Sequence, residues 1–355
     1  MRPYFLLLFT VMLLPFFALA QTDFKQLDQW LDKNAPIMGG RAYLVLYKDG
    51  KIVYSRSAGQ LNGRQKMGLR MMGRMFGQSP DLTPFTIHSK IPVASCSKWL
   101  SAALVMTFVD EGKLHLADTV GTWLPVLSQH GKGNITISQC LSHLTGIKAP
   151  PIREGFKEQA RMGSMDEVIA NIATLDMEGK PGTVFHYSSI GLQIAAAIIE
   201  KISGSDFRTL FKNRISIPLN MPDTDFGDAA VPEPAGGGNS TPEDYMHFLT
   251  MILHKGEYEG KRILSEESVA VMQVNRITPD IRIAFSPAGA NQFGYGYGEW
   301  TIGTHTVTSP GLFGSFPWVN KEKHYAGFLL TFYFQQEGRN ERYIALEQLA
   351  DQTLR

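Results

Sequence analysis

Ser95 and Lys98 stand three residues apart at the start of an apolar run from Trp99 to Val109. Residues three apart share one face of a helix, so this spacing would hold the Lys98 amine beside the Ser95 hydroxyl. A serine hydroxyl becomes a useful nucleophile only when a neighbour takes its proton, and a lysine can do so only if its pKa falls well below about 10.4. Burial beside other cations would produce that fall. Cys96 is a poorer candidate nucleophile, because one helical step turns its side chain about 100° away from the Ser95–Lys98 line. A lone Ser-x-x-Lys is a weak signal, and its weight depends on what accompanies it.

Two downstream segments supply what such chemistry needs. The run from Pro181 to Ser189 leads into an apolar stretch at Ile190, which places Tyr187 on a loop before a helix N-terminus. A phenol titrates near 10 and acts as a base only where cations and helix dipoles favour the phenolate; Lys98 is one such cation. Without that company Tyr187 reads as an aromatic anchor for a turn. The run from Thr308 to Ser315 follows alternating β-branched residues and contains Ser309-Pro310-Gly311. A glycine ending a strand lets substrate approach the backbone, and free amides there can hold a developing oxyanion, each worth about 10²- to 10³-fold in rate.

These groups need a scaffold, and the pattern describes one. Phe24 to Leu31 has helical spacing, and Ala42 to Tyr47 and Lys51 to Ser55 form a hairpin through Lys48-Asp49-Gly50. A segment rich in methionine and basic residues, 64–78, reads as a surface insertion between strands. From Ser95 to about Gly204 the signals are helical, with helices at Ser95 to Gly112, Thr136 to His143, Met165 to Leu175 and Ile190 to Ile202. Thr241-Pro242-Glu243-Asp244 opens another, predicted to run to Gly256. Tyr295 to Ile302, Thr304 to Thr308 and Tyr325 to Phe334 read as strands, followed by a helix from about Arg342 to Thr353. Strands at both ends around a helical middle predict an α/β (α+β) fold, with an antiparallel sheet flanked by the N- and C-terminal helices and an inserted all-α subdomain. The sheet part would take about 21–94 and 240–355, and the helical part about 95–239.

Residues 1–20 read as an export signal, with Arg2, an apolar core from Tyr4 to Phe17 and the exit Ala18-Leu19-Ala20. The alternative is a membrane anchor, but Pro15 and the short core sit poorly with a span of about 20 apolar residues. A net charge of +1 gives no reason to expect nucleic acid or anionic lipid as a partner. A small-molecule or peptide substrate fits better, at an exported, periplasmic or secreted location. Cys96 and Cys140 are the only thiols; they are free to pair in an exported protein, though two buried thiols are the favoured reading. His143, His186, His305 and His324 form no recognisable metal spacing, so neither metal nor cofactor is expected. His143 and His186 are expected to satisfy local backbone groups.

Taken in order, the elements resemble the serine β-lactamase and penicillin-binding superfamily, in the branch of class C β-lactamases, D-alanyl-D-alanine carboxypeptidases and related esterases. Besides Ser95-x-x-Lys98 and Tyr187, the resemblance rests on Leu141 to Ile147, Gly236 to Thr241, Phe293 to Gly298 and Ser309-Pro310-Gly311-x-x-Gly314, and it covers nearly the whole chain after residue 20. It implies a β-lactamase/transpeptidase-like fold and an acyl-enzyme on Ser95. Lys98 and Tyr187 would share proton transfer, and the amides of Ser95 and Leu312 would hold the oxyanion, with Ser189, Ser309 and Gly311 in the substrate-binding set.

The pattern departs from the family at two of these positions. Tyr187-x-Ser189 replaces Tyr-x-Asn, exchanging an amide for a shorter hydroxyl. Ser309-Pro310-Gly311 replaces Lys-Thr-Gly, removing a cation that would meet a substrate carboxylate. Nothing in the sequence places Arg342 or another distant cation there. Desolvated charge-assisted bonds reach about 1.5–3 kcal/mol, so carboxylated substrates should bind less well. The sequence therefore points to an esterase or D-peptidase ahead of an efficient β-lactamase. A non-catalytic penicillin- or peptidoglycan-binding sensor and an acyltransferase remain the alternatives.

Overall fold

Along the strand Arg41–Lys48 (β1), Ala42, Leu44 and Leu46 enter one hydrophobic core while Tyr43 and Val45 enter another. Successive side chains on a strand face opposite ways, so a strand buried on both sides reads as a continuous apolar run. The computed structural model describes residues 23–75, 80–287, 290 and 292–354. The expected export signal and residues 76–78 of the methionine-rich segment lie outside them.

The elements that matter for the site are the helix Lys25–Asn34 (α1), β1, Lys51–Gly59 (β2), the helices Gly63–Met75 (α2), Ser97–Asp110 (α3), Ile137–Leu141 (α4), Met165–Thr174 (α5), Ile190–Ser203 (α6) and Pro242–Leu253 (α7), the strands Gly294–Tyr295 (β3), Trp300–Ile302 (β4), Thr306–Thr308 (β5), Phe316–Asn320 (β6) and Tyr325–Thr331 (β7), and the helix Arg339–Thr353 (α8). The strands form one antiparallel seven-stranded sheet in the order β2-β1-β7-β6-β5-β4-β3. Register alternates cleanly in β7: Tyr325 and Leu329 face the core with α1 and α8, whereas Ala326, Phe328 and Leu330 face the other. On that second face Tyr245 of α7 stacks on Phe328 at 4.9 Å between ring centroids. No helix among the described residues is long and apolar enough to cross a membrane.

The predicted antiparallel sheet with flanking terminal helices is the observed one, and several boundaries move. Tyr295 to Ile302 is two strands, β3 and β4, joined by a tight turn. In that turn Gly298 has φ +75°, and a Cβ there would overlap the Lys98 carbonyl oxygen. The reversal is therefore imposed by close packing on α3, which local pattern does not report. α7 stops at Leu253, before a small hairpin of Glu257–Tyr258 with Lys261–Arg262, and α8 begins at Arg339. The methionine-rich segment forms α2, between β2 and the strand Ile91–Pro92, with Met67 and Met71 exposed. Cys96 and Cys140 are buried and unpaired.

Candidate active site

α3 is buried along its whole length from Ser97 to Phe108. Its N-terminal end is fastened to the segment 234–238 by four hydrogen bonds. Lys98 Nζ donates to the Ala235 carbonyl (2.7 Å), Ser101 Oγ to the Pro234 carbonyl (2.6 Å), the Gly238 amide to Ser97 Oγ (2.9 Å), and the Val93 amide to the Gly238 carbonyl (2.9 Å). Ser95 lies one step before the α-helix, in the 3₁₀ turn Ala94–Cys96. Ala94 carries φ +48°, a left-handed conformation costly for a residue with a Cβ.

Lys98 Nζ also donates to Ser95 Oγ at 3.2 Å, and it lies 4.7 Å from the centroid of the Tyr187 ring. Tyr187 and Trp300 line the same cavity as Ser95 and Lys98, and the side chains of Ser95 and Trp300 lie close enough to the Tyr187 hydroxyl to oppose the rise in its pKa. The three residues singled out in sequence therefore meet. Trp300 stacks on Tyr187 at 5.2 Å, and His143 packs between Tyr187 and Tyr295 at 4.7 Å from each ring. Tyr187 is set in place by its amide, which donates to the Phe285 carbonyl (3.1 Å), and by a short parallel pairing of Val184–His186 with Arg282–Phe285.

Burial decides the protonation of these groups. It lowers Lys98 to about 8, against the opposing pull of Glu233 and Cys96. The cations expected beside Lys98 are replaced by a carboxylate, so desolvation alone drives the shift. Burial holds Tyr187 well above the usual phenol range, so the neutral phenol is its resting form. The Cys96 thiol is likewise pushed far up by burial and kept protonated, its Sγ directed at the Ser315 carbonyl. His143 is held well below the ordinary range by burial and by Lys98. Its neutral ring bridges the Tyr295 hydroxyl (3.0 Å) and the Ser188 amide (3.5 Å), while His186 pairs with the Glu178 carboxylate in place of the expected backbone group.

The opposite wall is backbone. Gly311 and Leu312 line a cavity of about 340 Å³ together with Ser95, Lys98, Tyr187 and Ser189. A Cβ at Gly311 would overlap the Val93 carbonyl oxygen, so only glycine lets this strand end lie against the turn carrying Ser95. Neither the Ser95 nor the Leu312 amide donates to an acceptor among the described residues, which leaves both available to an oxyanion. Ser309 is turned away from the cavity: its buried hydroxyl faces the carbonyls of Ser95 and Gly298, each at 3.1 Å. Ser189 lies beside the Glu233 carboxylate. Besides Lys98, the cationic side chain lining this cavity is Arg339, three residues before Arg342; it donates to the carbonyls of Leu312 (2.7 Å) and Tyr333 (2.9 Å), and its Nε has no partner among the described residues.

Sequence reasoning missed Glu233, Trp300 and Arg339. Glu233 sits between two prolines just before Gly236-Gly237-Gly238, and Trp300 follows the Gly298 turn; each adjoins a quoted motif, and that adjacency was the only signal.

Comparison with known proteins gives the chain's family and fold relatives. Protein Rv1367c of Mycobacterium tuberculosis (strain ATCC 25618 / H37Rv) is 26% identical over 284 residues, covering 64% of this chain and 71% of that one. A solved structure from Bacteroides dorei DSM 17855 superposes with a TM-score of 0.75 at 26% identity, covering 94% of this chain and 99% of the other. EstCE1, a hydrolase with promiscuous acyltransferase activity, superposes with a TM-score of 0.73 at 17% identity, covering 93% and 99%, a likeness of fold. The ordered motifs, the antiparallel sheet with both terminal helices on one face and a match to the Beta-lactamase family model over residues 37–353 converge: the chain belongs to the Beta-lactamase family.

Proposed function

We propose that this protein is an exported serine hydrolase that cleaves an ester or amide bond through an acyl-enzyme on Ser95. Lys98 is the proton acceptor: with a pKa of about 8, roughly a tenth of it is free amine at neutral pH. That amine takes the Ser95 proton as Oγ bonds to the substrate carbonyl carbon, and the amides of Ser95 and Leu312 hold the resulting oxyanion. Collapse of the tetrahedral species breaks the bond to the leaving group, which takes its proton from the Lys98 ammonium by way of the Tyr187 hydroxyl. Water then adds to the acyl-enzyme, gives its proton to the same pair and releases the acid, restoring Ser95. Tyr187 thus relays a proton as a neutral phenol, and Ser309 braces the Ser95 carbonyl from behind.

The observation that carries this reading is the 3.2 Å contact between Ser95 Oγ and a buried lysine amine with a lowered pKa. The missing third-motif lysine and the short Ser189 favour an esterase or D-peptidase over an efficient β-lactamase. Intact mass after exposure to a fluorophosphonate is the test. The wild type should gain one phosphonyl group, and Ser95→Ala none. A folded wild type that gains no mass refutes the assignment of Ser95.

A further inference from the structure

A second cavity, of about 520 Å³, adjoins the one that holds Ser95, and Tyr187, Ser188, Ser189 and Phe285 belong to the walls of both. Ala149, Met162, Val168, Ile172 and Leu175 give this cavity an apolar surface, with Lys148, Glu158 and Glu178 also in its lining. Gln159, Gln193 and Glu233 add polar groups to this second cavity's lining. The amide groups of Gln159 and Gln193 both donate to the Pro232 carbonyl, at 3.2 and 3.4 Å, which brings them to the Glu233 segment. Glu233 spends Oε1 on the Ala235 amide (3.1 Å). The side chains of Ser189 and Gln159 also lie against its carboxylate, whereas Oε1 of the fully buried Gln193 accepts no hydrogen bond from a described residue.

A buried acceptor without a donor, as Gln193 Oε1 is, is costly unless a bound group supplies an N–H or O–H. The apolar surface beside it is uninformative to a small acetyl group but rewards a long one. The short side chain of Ser189 leaves the passage between the cavities narrower in chemistry than in space: a hydroxyl stands where the family places an amide. We propose that the acyl part of the substrate passes Ser189 into this second cavity, and that it is a large apolar acyl group bearing an N–H or O–H donor within a few bonds of its carbonyl. This rests on the acyl-enzyme reading above. The leaving group stays on the Leu312 side, so specificity is set by the acid released.

The test is hydrolysis of p-nitrophenyl acetate, hexanoate, decanoate and 3-hydroxydecanoate by the wild type, Ala149→Trp, Gln193→Leu and Ser95→Ala. In the wild type kcat/KM should rise about four-fold per methylene until the cavity is filled. The 3-hydroxyl should add a further factor of about two to ten. Ala149→Trp should cut the decanoate-to-acetate ratio by at least about ten-fold, and Gln193→Leu should erase the hydroxyl advantage. A decanoate-to-acetate ratio near one in an enzyme whose turnover needs Ser95 overturns the acyl-cavity assignment and leaves the hydrolase reading standing. A hydroxyl advantage that survives Gln193→Leu overturns the donor half. Turnover that survives Ser95→Ala sinks the hydrolase reading and this inference with it. Should Ala149→Trp fail to fold, the wild-type chain-length series decides alone.

Discussion

On the helical side of the cleft, Lys98 and Tyr187 in its wall and His143 and Glu233 behind them are titratable side chains sealed from water, whereas the wall from Pro310 to Phe313 presents backbone and apolar rings. The first wall sets protonation by desolvation, which moves pKa values without any precise contact. The second sets position, because an amide can hold an oxyanion only where the chain runs within hydrogen-bond reach. Substitutions on the two walls should therefore leave different signatures: a displaced pH profile on one, a lowered plateau on the other.

The largest effect should come from removing the buried amine. Lys98→Met should lower kcat/KM by about 10³-fold or more and abolish the limb that, in the wild type, rises through about pH 8 as Lys98 loses its proton. A surviving limb at that pH would move the titrating group elsewhere. Next, Gly311→Ala on the backbone wall must push the strand end off Val93. A loss of about 10- to 100-fold in kcat is expected, with the pH profile unmoved. A shifted profile in that variant would dissolve the distinction between the walls.

A smaller and more diagnostic change is Glu233→Gln. The Glu233 carboxylate favours the charged form of Lys98, so its neutralisation should carry the rising limb below pH 8 and increase activity at pH 6.5 relative to pH 9. Rate against pH in both proteins checks this; an upward shift would contradict it. The smallest effect concerns Glu299, fully buried beside Trp300 with both carboxyl oxygens unpaired and its pKa held well above the carboxylate range by burial. Here the folded pKa exceeds the unfolded one. The unfolded chain therefore loses its proton first as pH rises from about 4.5, and stability falls until the folded state also ionises. Glu299→Gln should raise Tm at pH 8 by about 2–4 °C and flatten its dependence on pH. Equal pH slopes in the two proteins would show that Glu299 does not titrate with folding.

Much of the fold and the three residues proposed to react were legible because they are encoded locally. Period-two and helical apolar patterns located the β1–β2 hairpin, α3 and α6, and the Thr241-Pro242 cap located α7. What escaped depends on chain segments meeting. Nothing near Gly298 announces that its turn must clear the Lys98 carbonyl, so β3 and β4 were read as one strand. Glu233 and Lys98 are far apart in sequence, and only the fold reveals that a carboxylate, not a cation, is the neighbour opposing the lysine's shift. Ala94 looks unremarkable beside Ser95, yet its positive φ keeps Ser95 in a 3₁₀ turn ahead of the α-helix proper.

Ser95, the proposed nucleophile, precedes a helix whose residues from Ser97 to Phe108 are buried. Partial opening of the molecule at a surface segment would leave that helix intact, while any event that frees it must also dissolve the central packing. Enzymatic competence should consequently vanish together with the fold on heating or in denaturant, and the amide protons of α3 should exchange no faster than whole-molecule unfolding permits. Catalysis in this chain doubles as an all-or-none gauge of its native state.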